Sequence, residues 1–315
     1  MFSERKVLIN KIIGKTIESC YEYFTNINYL ATITPITTNS VSSPMGKGSD
    51  SLPVQINLFD QDTYLADSMQ FNLEYLLRLY SPGVWYVMPS FRGEDPDETH
   101  LNQFIHIESE LVGDLAKVME VVEQLVKKIV NSILAANLCD QINNKHLKDF
   151  QKITKFEIVT FQEFEKNFPF KKYPHLFKSF SDGSLAMSRE GEIQLSKFVG
   201  GPCWLTNPEY STVPFYQAKL PGTKYALSAD LILDGCEIAG CGQRWVSDKE
   251  TLSALLEHNV QPKPYQWYLN LKRDYPLQTS GFGIGLERLL ALVLQEKDIR
   301  NIPLFSRLKS DVSYP

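Results

Sequence analysis

Several features that would narrow the function of a chain at once are missing from this one. Basic residues are not in excess: 32 Lys and Arg stand against 37 Asp and Glu, giving a net charge of -5 and a pI near 5.7. A dedicated nucleic-acid binder draws most of its affinity from neutralising phosphates and usually carries a basic face, and no Lys/Arg-rich run advertises one here. Cysteine is sparse. Cys20, Cys139, Cys203, Cys236 and Cys241 are odd in number and contain no CxxC pair. That excludes a disulfide framework and a zinc-ribbon spacing, and it fits a reducing cytoplasm. No stretch approaches the roughly 18 apolar residues of a membrane helix, and the mixed N-terminus lacks the apolar core of a signal peptide. Internal repeats and a linker rich enough to split the chain are also missing, so the expectation is one domain over residues 1–315.

What is present is a set of well-punctuated elements. Residues 3–25 carry Val7, Ile9, Ile12, Ile13, Ile17 and Tyr21 at helical spacing. TITPITTNS reads as a short strand stopped by Pro35, and SSPMGKGSDSLP as a Gly/Ser/Pro loop. VQINLF and DTYLAD read as a strand pair, and SMQFNLEYLLRLY as a helix. VWYVMPSFRGE and THLNQFIHIESEL read as an antiparallel hairpin turning at DPDE. Residues 114–138 give the clearest amphipathic helix; 140–200 is irregular. KYALSADLILDG runs into CEIAGCGQRWV, a helix follows from Lys249 to His258, and the strand TSGFGIG enters the helix LERLLALVLQ. A mostly antiparallel sheet with surrounding helices is an α+β fold.

Three clusters carry chemistry. The first is Arg92 and Glu94, then His100, Phe104 and Glu108. Side chains alternate along a strand, so Arg92 and Glu94 are expected on one face, with Phe104 and Glu108 on the partner strand. A guanidinium can grip a phosphate bidentately and a phenyl ring can stack on a purine; the same residues also fit a cross-strand salt bridge on an ordinary sheet. The second is Asp230, Glu237 and Arg244, each seven residues from the last, with Gly235, Gly240 and Gly242 between them. Two carboxylates can hold Mg²⁺ together with phosphate oxygens; an acidic surface hairpin is the alternative. The third is Gly281-Phe-Gly-Ile-Gly285-Leu-Glu287-Arg288. Glycine at every second strand position leaves one face bare for a flat ligand, and Arg288 at the helix start can reach a polyphosphate. The spacing is not that of a dinucleotide loop.

In this order the clusters resemble the signature motifs of class II aminoacyl-tRNA synthetases. TPITT resembles motif 1, FRGEDPDETHLNQF motif 2 and GFGIGLERLLAL motif 3, over nearly the whole chain. ADLILDGCEIAGCGQR and SMQFNLE resemble the aspartyl/asparaginyl branch. The resemblance implies a class II synthetase-type antiparallel sheet flanked by helices, in an enzyme that forms an adenylate from ATP. It implies ATP contacts from Arg92, Glu94, His100, Phe104, Asp230, Glu237, Gly285 and Arg288, with Mg²⁺ on Asp230 and Glu237. Arg92, Glu237 and Arg288 would be the catalytic set, and Ser68, Gln70, Glu74, Glu108 and Arg244 would contact the amino acid. Motif 1 implies a homodimer. The chain departs from the pattern at Thr99-His100, Gln103, Leu73 and Thr212-Val213, and its motif 2 loop is short. His106, Cys241, Trp204 and Trp245 read as pocket wall or core.

The chain starts at the motif 1 helix, without an anticodon-reading barrel before it. The expectation drawn from this is a free-standing enzyme like the archaeal asparagine synthetase related to asparaginyl-tRNA synthetase, making asparagine from aspartate, ammonia and ATP and needing no tRNA. Two alternatives stay open. In one, the α-carboxylate of asparagine or a relative is activated for a tRNA, a carrier protein or an amine. In the other, the chain is an inactive paralogue with a regulatory or binding role.

Overall fold

The computed structural model describes residues 3–42, 47, 51–138 and 144–309. Among these the elements are, in order, α1 (Glu4–Asn26), β1 (Leu30–Ala31), β2 (Thr37–Thr38), β3 (Val54–Leu58), β4 (Gln61–Leu65), α2 (Gln70–Leu79), β5 (Gly83–Phe91), β6 (Gln103–Val112), α3 (Leu115–Ala135), α4 (Lys145–Gln151), β7 (Glu157–Thr160), α5 (Phe161–Asn167), β8 (Phe177–Ser179), β9 (Leu185–Met187), α6 (Arg189–Val199), β10 (Cys203–Thr206), β11 (Ser228–Leu233), β12 (Cys236–Gln243), α7 (Asp248–Glu257), α8 (Gln266–Asp274), β13 (Thr279–Gly285) and α9 (Leu286–Leu294). No helix among them is long and apolar enough to cross a membrane.

One eight-stranded sheet organises the molecule, in the order β1-β5-β6-β13-β12-β11-β10-β7. Only its two outermost pairings, β1 with β5 and β7 with β10, are parallel. Its central strands are two-faced. Ile107 and Leu111 of β6, Phe282 and Ile284 of β13, Ala239 and Cys241 of β12, and Ala229 and Leu231 of β11 enter the main core. The core is closed by α3, whose stripe of Val118, Val122, Leu125, Val126, Ile129 and Ile133 is buried. α3 starts where Asp114 caps it by accepting from Lys117 N at 3.0 Å. Alternation sends the intervening residues, Glu108, Glu110, Gly281, Gly283, Gly240, Gly242, Ser228 and Asp230, to the opposite face. Register lines them up: Glu108 lies opposite Gly283, Gly283 opposite Gly240, and Gly240 opposite Asp230.

Three local expectations change. The strand near Pro35 follows the proline rather than being stopped by it, with Thr37 and Thr38 pairing with β4; proline cannot donate to a ladder and suits its start. The β5–β6 ladder ends at Phe91 opposite Gln103, so Arg92 and Glu94 lie in the connecting loop and not on a strand face. Along α1 the buried face is Leu8, Ile9, Ile12, Thr16, Ser19, Cys20 and Phe24, whereas Val7 and Tyr21 are about half exposed. The stretch 140–200, irregular by sequence, holds α4, β7, α5, β8, β9 and α6 around a second core of Phe161, Phe164, Leu176 and Phe177. Of the Gly/Ser/Pro loop expected over residues 42–53, residues 43–46 and 48–50 lie outside the described residues, as does Cys139.

Candidate active site

The polar face of the sheet forms the floor of a cleft of about 640 Å³. Glycine makes the floor for two different reasons. At Gly281 a Cβ would overlap the Glu110 carboxylate, and at Gly242 it would overlap the Gln217 amide, so these two glycines admit side chains packed over them. At Gly285 the nearest atom to an added Cβ is 3.8 Å away, so there the bare floor is open to a ligand.

At one end of the cleft Arg244, just past β12, is only 2% exposed. Its Nε and Nη2 donate to Glu110 Oε1 at 3.0 and 2.5 Å, and its Nη1 to Gln217 Oε1 at 2.8 Å. Its Nη2 also lies 3.4 Å from Gln70 Oε1, and its guanidinium stacks over Tyr216 at 5.1 Å. Burial pushes the Glu110 carboxyl up to about 7 against the pull of Arg244. Two atoms here are buried without a partner: Glu110 Oε2 and Gln70 Nε2. A buried polar atom left unpaired is costly, so Gln70 Nε2, which lines the cleft, marks the place of a ligand group able to accept from it.

Next along the floor is Glu108. It accepts from Ser68 Oγ at 2.9 Å and from the Tyr86 hydroxyl, and Met69 N approaches at 3.4 Å. Burial raises its carboxyl to about 8, helped by the nearby Asp67 and Glu110. His106 lies 3.4 Å from Glu108 and 2.9 Å from Ser90 Oγ; burial and the charges of Arg92 and Arg288 depress it to about 3, so the ring is neutral. It belongs to the cleft wall.

The other end is cationic and acidic by turns. Arg92 sits 5.2 Å over the Phe104 ring, and its Nε is buried without a partner. Arg288, on the first turn of α9, donates to Thr99 O at 3.3 Å and Glu237 O at 3.0 Å and pairs with Glu237 Oε2 at 3.4 Å. Glu94 Oε2 accepts from Leu52 N at 3.0 Å, and His100 pairs with Asp97 at 3.0 Å. Asp230 and Glu237 converge because of a bulge. Leu231 pairs with Ala239 but Ile232 pairs with Glu237, and the extra residue turns Glu237 onto the polar face. Glu237 Oε1 and Asp230 Oδ1 come within 3.3 and 3.4 Å of the same point above Gly240. Burial, then Glu237 and Glu192, drives the Asp230 carboxyl well above its usual range. Two carboxylates meeting at one point with that much mutual repulsion suit a divalent cation. Among the described residues no set of three or more His, Cys, Asp or Glu side chains closes around a metal.

Of the residues expected from the sequence, Ser68, Gln70, Arg92, Glu94, His100, Phe104, Glu108, Asp230, Glu237, Arg244, Gly285 and Arg288 all line this one cleft. Glu74 does not. It points away into a buried network with Lys272 Nζ at 3.0 Å, Thr279 Oγ1 at 3.2 Å and the Tyr268 hydroxyl. Sequence reading missed Tyr216, Gln217, Arg189 and Glu192, which also line it, and Glu110, which is fully buried and holds Arg244. Glu110 was within reach, two residues beyond Glu108 on the same strand face. The others arrive from loops and from the stretch that carried no periodic signal.

Residues 4–309 match the family model of the tRNA synthetases class II (D, K and N). The chain belongs to that family. Its members are AMP-forming ligases that use ATP, and the expected α+β fold of a large sheet flanked by helices is the class II synthetase fold. Relatives include the asparagine–tRNA ligase of Thermococcus gammatolerans, 28% identical over 99% of this chain and 71% of the relative. The asparagine–tRNA ligase of Pyrococcus furiosus is 30% identical over 80% of this chain and 58% of its own length. The chain thus spans some 58% to 71% of these relatives. Among solved structures, asparaginyl-tRNA synthetase from Pyrococcus horikoshii complexed with asparaginyl-adenylate superposes with a TM-score of 0.87 at 26% identity, covering 99% of this class II domain and 71% of that chain. These matches overturn two expectations: the ammonia-dependent asparagine synthetase and the absence of a tRNA partner. Both were drawn from what precedes the catalytic fold, which says nothing about the chemistry of the cleft.

Proposed function

We propose that this class II domain activates asparagine with ATP and passes the aminoacyl group to a tRNA. The observation that carries the reading is the end of the cleft at Arg244. A carboxamide offers its carbonyl oxygen to Gln70 Nε2, a buried donor without a partner that lines this end of the cleft. A second carboxylate in the same place would set its charge against Glu110, whose partner Arg244 is already engaged.

The remaining residues take roles that follow from position. The α-ammonium lies by Glu108, Ser68 and Gln70. ATP lies on the floor toward Gly285, with its adenine against Phe104 and Arg288. Arg92 now covers the Phe104 ring, so it moves toward the α-phosphate as adenine enters. The asparagine α-carboxylate attacks the α-phosphorus and pyrophosphate leaves. Arg92 and Arg288 offset charge on the phosphoryl oxygens, and catalysis is mainly positioning and electrostatics. Asp230 and Glu237 would hold Mg²⁺, which supplies further neutralisation of the phosphates when bound. Glu94 and His100 steady the loop that carries Arg92. Glu74 acts from behind the cleft, as a buttress for α2. Residues 1–315 serve as the catalytic unit, in a cytoplasmic homodimer.

Pyrophosphate exchange into ATP, run with asparagine and with aspartate separately and followed by tRNA charging, tests the reading. The expected result is exchange with asparagine and a charged tRNA. Exchange with aspartate alone, or with neither, would overturn it.

A further inference from the structure

Arg92 and Arg288 reach the phosphate end of the cleft from two different elements. Arg92 opens the loop between β5 and β6, and Arg288 lies on the first turn of α9. Both must meet one phosphoryl group, and a group misplaced by about 1 Å can cost about 100-fold in rate. The β5–β6 loop is poorly suited to hold itself. From Gly93 to Leu101 it carries Glu94, Asp95, Asp97 and Glu98 without one Lys or Arg, so its own charges repel.

Asn102 closes the neck of this loop. Its backbone oxygen accepts from Arg92 N at 2.9 Å. Its side-chain Nδ2 donates to Arg92 O at 3.0 Å and to Glu94 O at 2.7 Å, and its Oδ1 accepts from Lys309 N at 2.6 Å. An amide offers two donors and an acceptor, and here each has a backbone partner. Asn102 does not itself line the cleft, whereas Arg92, Glu94, Thr99 and His100 do.

The third of these bonds comes from the segment after α9. Ile299 and Ile302 are buried and Leu308 packs against the main core, which brings the next N–H to Asn102. α9 and this segment touch the loop at two further points. Arg288 Nε donates to Thr99 O at 3.3 Å, and Ile299 N to Glu98 O at 3.1 Å. Lys309 Nζ also pairs with Asp95 at 2.7 Å, but both side chains are exposed and such a pair adds little.

We propose that Asn102 is a positioning residue for adenylate formation. Its amide, held from behind by the segment after α9, fixes the Arg92 backbone relative to Arg288, so that only the Arg92 side chain moves when ATP enters. The inference rests on the activation reaction proposed above and adds what aims its arginines.

The test is a double-mutant cycle with two readouts: asparagine-dependent pyrophosphate exchange, and calorimetric affinity for a stable sulfamate analogue of asparaginyl-adenylate. N102A should lower kcat on the order of 10- to 100-fold with the KM for asparagine unchanged. N102D keeps the acceptor for Lys309 N but turns a carboxylate toward two carbonyl oxygens, and should be as damaging. N102A should weaken the analogue on the order of tenfold in the wild-type background. In R92Q, which has no guanidinium to aim, the same substitution should cost no more than about twofold. K309P removes only the third bond and should lower kcat a few-fold. Thermal unfolding reports whether N102A folds; where it does not, K309P carries the same cycle. A wild-type kcat in N102A, or equal losses of affinity with and without the Arg92 guanidinium in folded proteins, would overturn the inference and leave the proposed reaction standing. A wild-type chain that neither exchanges with asparagine nor binds the analogue would overturn both together.

Discussion

Glu108 is a carboxyl held neutral until something positive arrives. Burial places its titration at about 8, above the ordinary carboxylate range, while Ser68 and Met69 donate to it. An α-ammonium docking beside it favours the charged form, so binding below that point must expel a proton. The amino-acid kcat/KM in pyrophosphate exchange is therefore expected to climb about tenfold per pH unit toward 8 and to level above it. Glu108→Gln should flatten that limb and lower the plateau by roughly 10- to 100-fold, the loss of a hydrogen bond to a charged group. A pH profile unchanged by the substitution would remove Glu108 from ammonium binding. The neighbouring Glu110 differs in kind: it is fully buried, and Arg244 holds it with two hydrogen bonds to Oε1.

At the level of elements, β13 shows how one strand serves two layers. Phe282 and Ile284 enter the core while Gly281, Gly283 and Gly285 floor the cleft. The two central glycines should respond differently to alanine. In Gly281→Ala the new methyl overlaps the Glu110 carboxylate, which Arg244 holds in place, so overpacking should cost roughly 1–3 kcal/mol of stability in denaturant titration. In Gly283→Ala the methyl meets Glu108 Oε1 at 3.1 Å and stands up from the floor. Stability should change by under about 1 kcal/mol, while exchange activity falls at least about tenfold. This strand and α9 were fully legible, since TSGFGIG and LERLLALVLQ differ sharply in period and in glycine content. The β12 bulge was not. A seven-residue spacing does not say that Asp230 and Glu237 share a face; an unbulged register would have turned Glu237 toward the core. The segments between 145 and 199 were illegible for another reason: they are short, and they bury their aromatic side chains against one another rather than along one periodic stripe.

Across the whole molecule, distant segments are tied together behind the cleft by Lys272 of α8. Its ammonium is fully buried, 3.0 Å from Glu74 of α2 and 2.6 Å from Trp245 O, and Thr279 of β13 joins the same carboxylate. Burial alone would raise the Glu74 carboxyl; Lys272, Arg78 and Arg244 outweigh it and hold the group below its ordinary value. A carboxyl lowered on folding contributes stability that is present above its unfolded pKa and lost as pH falls through the folded one. Lys272→Met should leave that charge buried and cost roughly 3–5 kcal/mol. The deficit should shrink as pH is lowered toward the range where Glu74 takes a proton. Thermal unfolding of both proteins at several pH values checks this, and a deficit independent of pH would mean that packing, not the pair, is what Lys272 supplies. The strand pairs, the main helices and most of the residues that line the cleft follow from the order of the amino acids, because alternation, capping and glycine spacing are local and survive without context. Three features come from the folded arrangement instead: Glu74 turns away from the cleft, Glu110 and Gln217 occupy Arg244, and Glu237 faces Asp230. The first two depend on contacts between residues tens to hundreds of positions apart, where burial and charge pairing outweigh local preference, and the third on a bulge that no spacing announces.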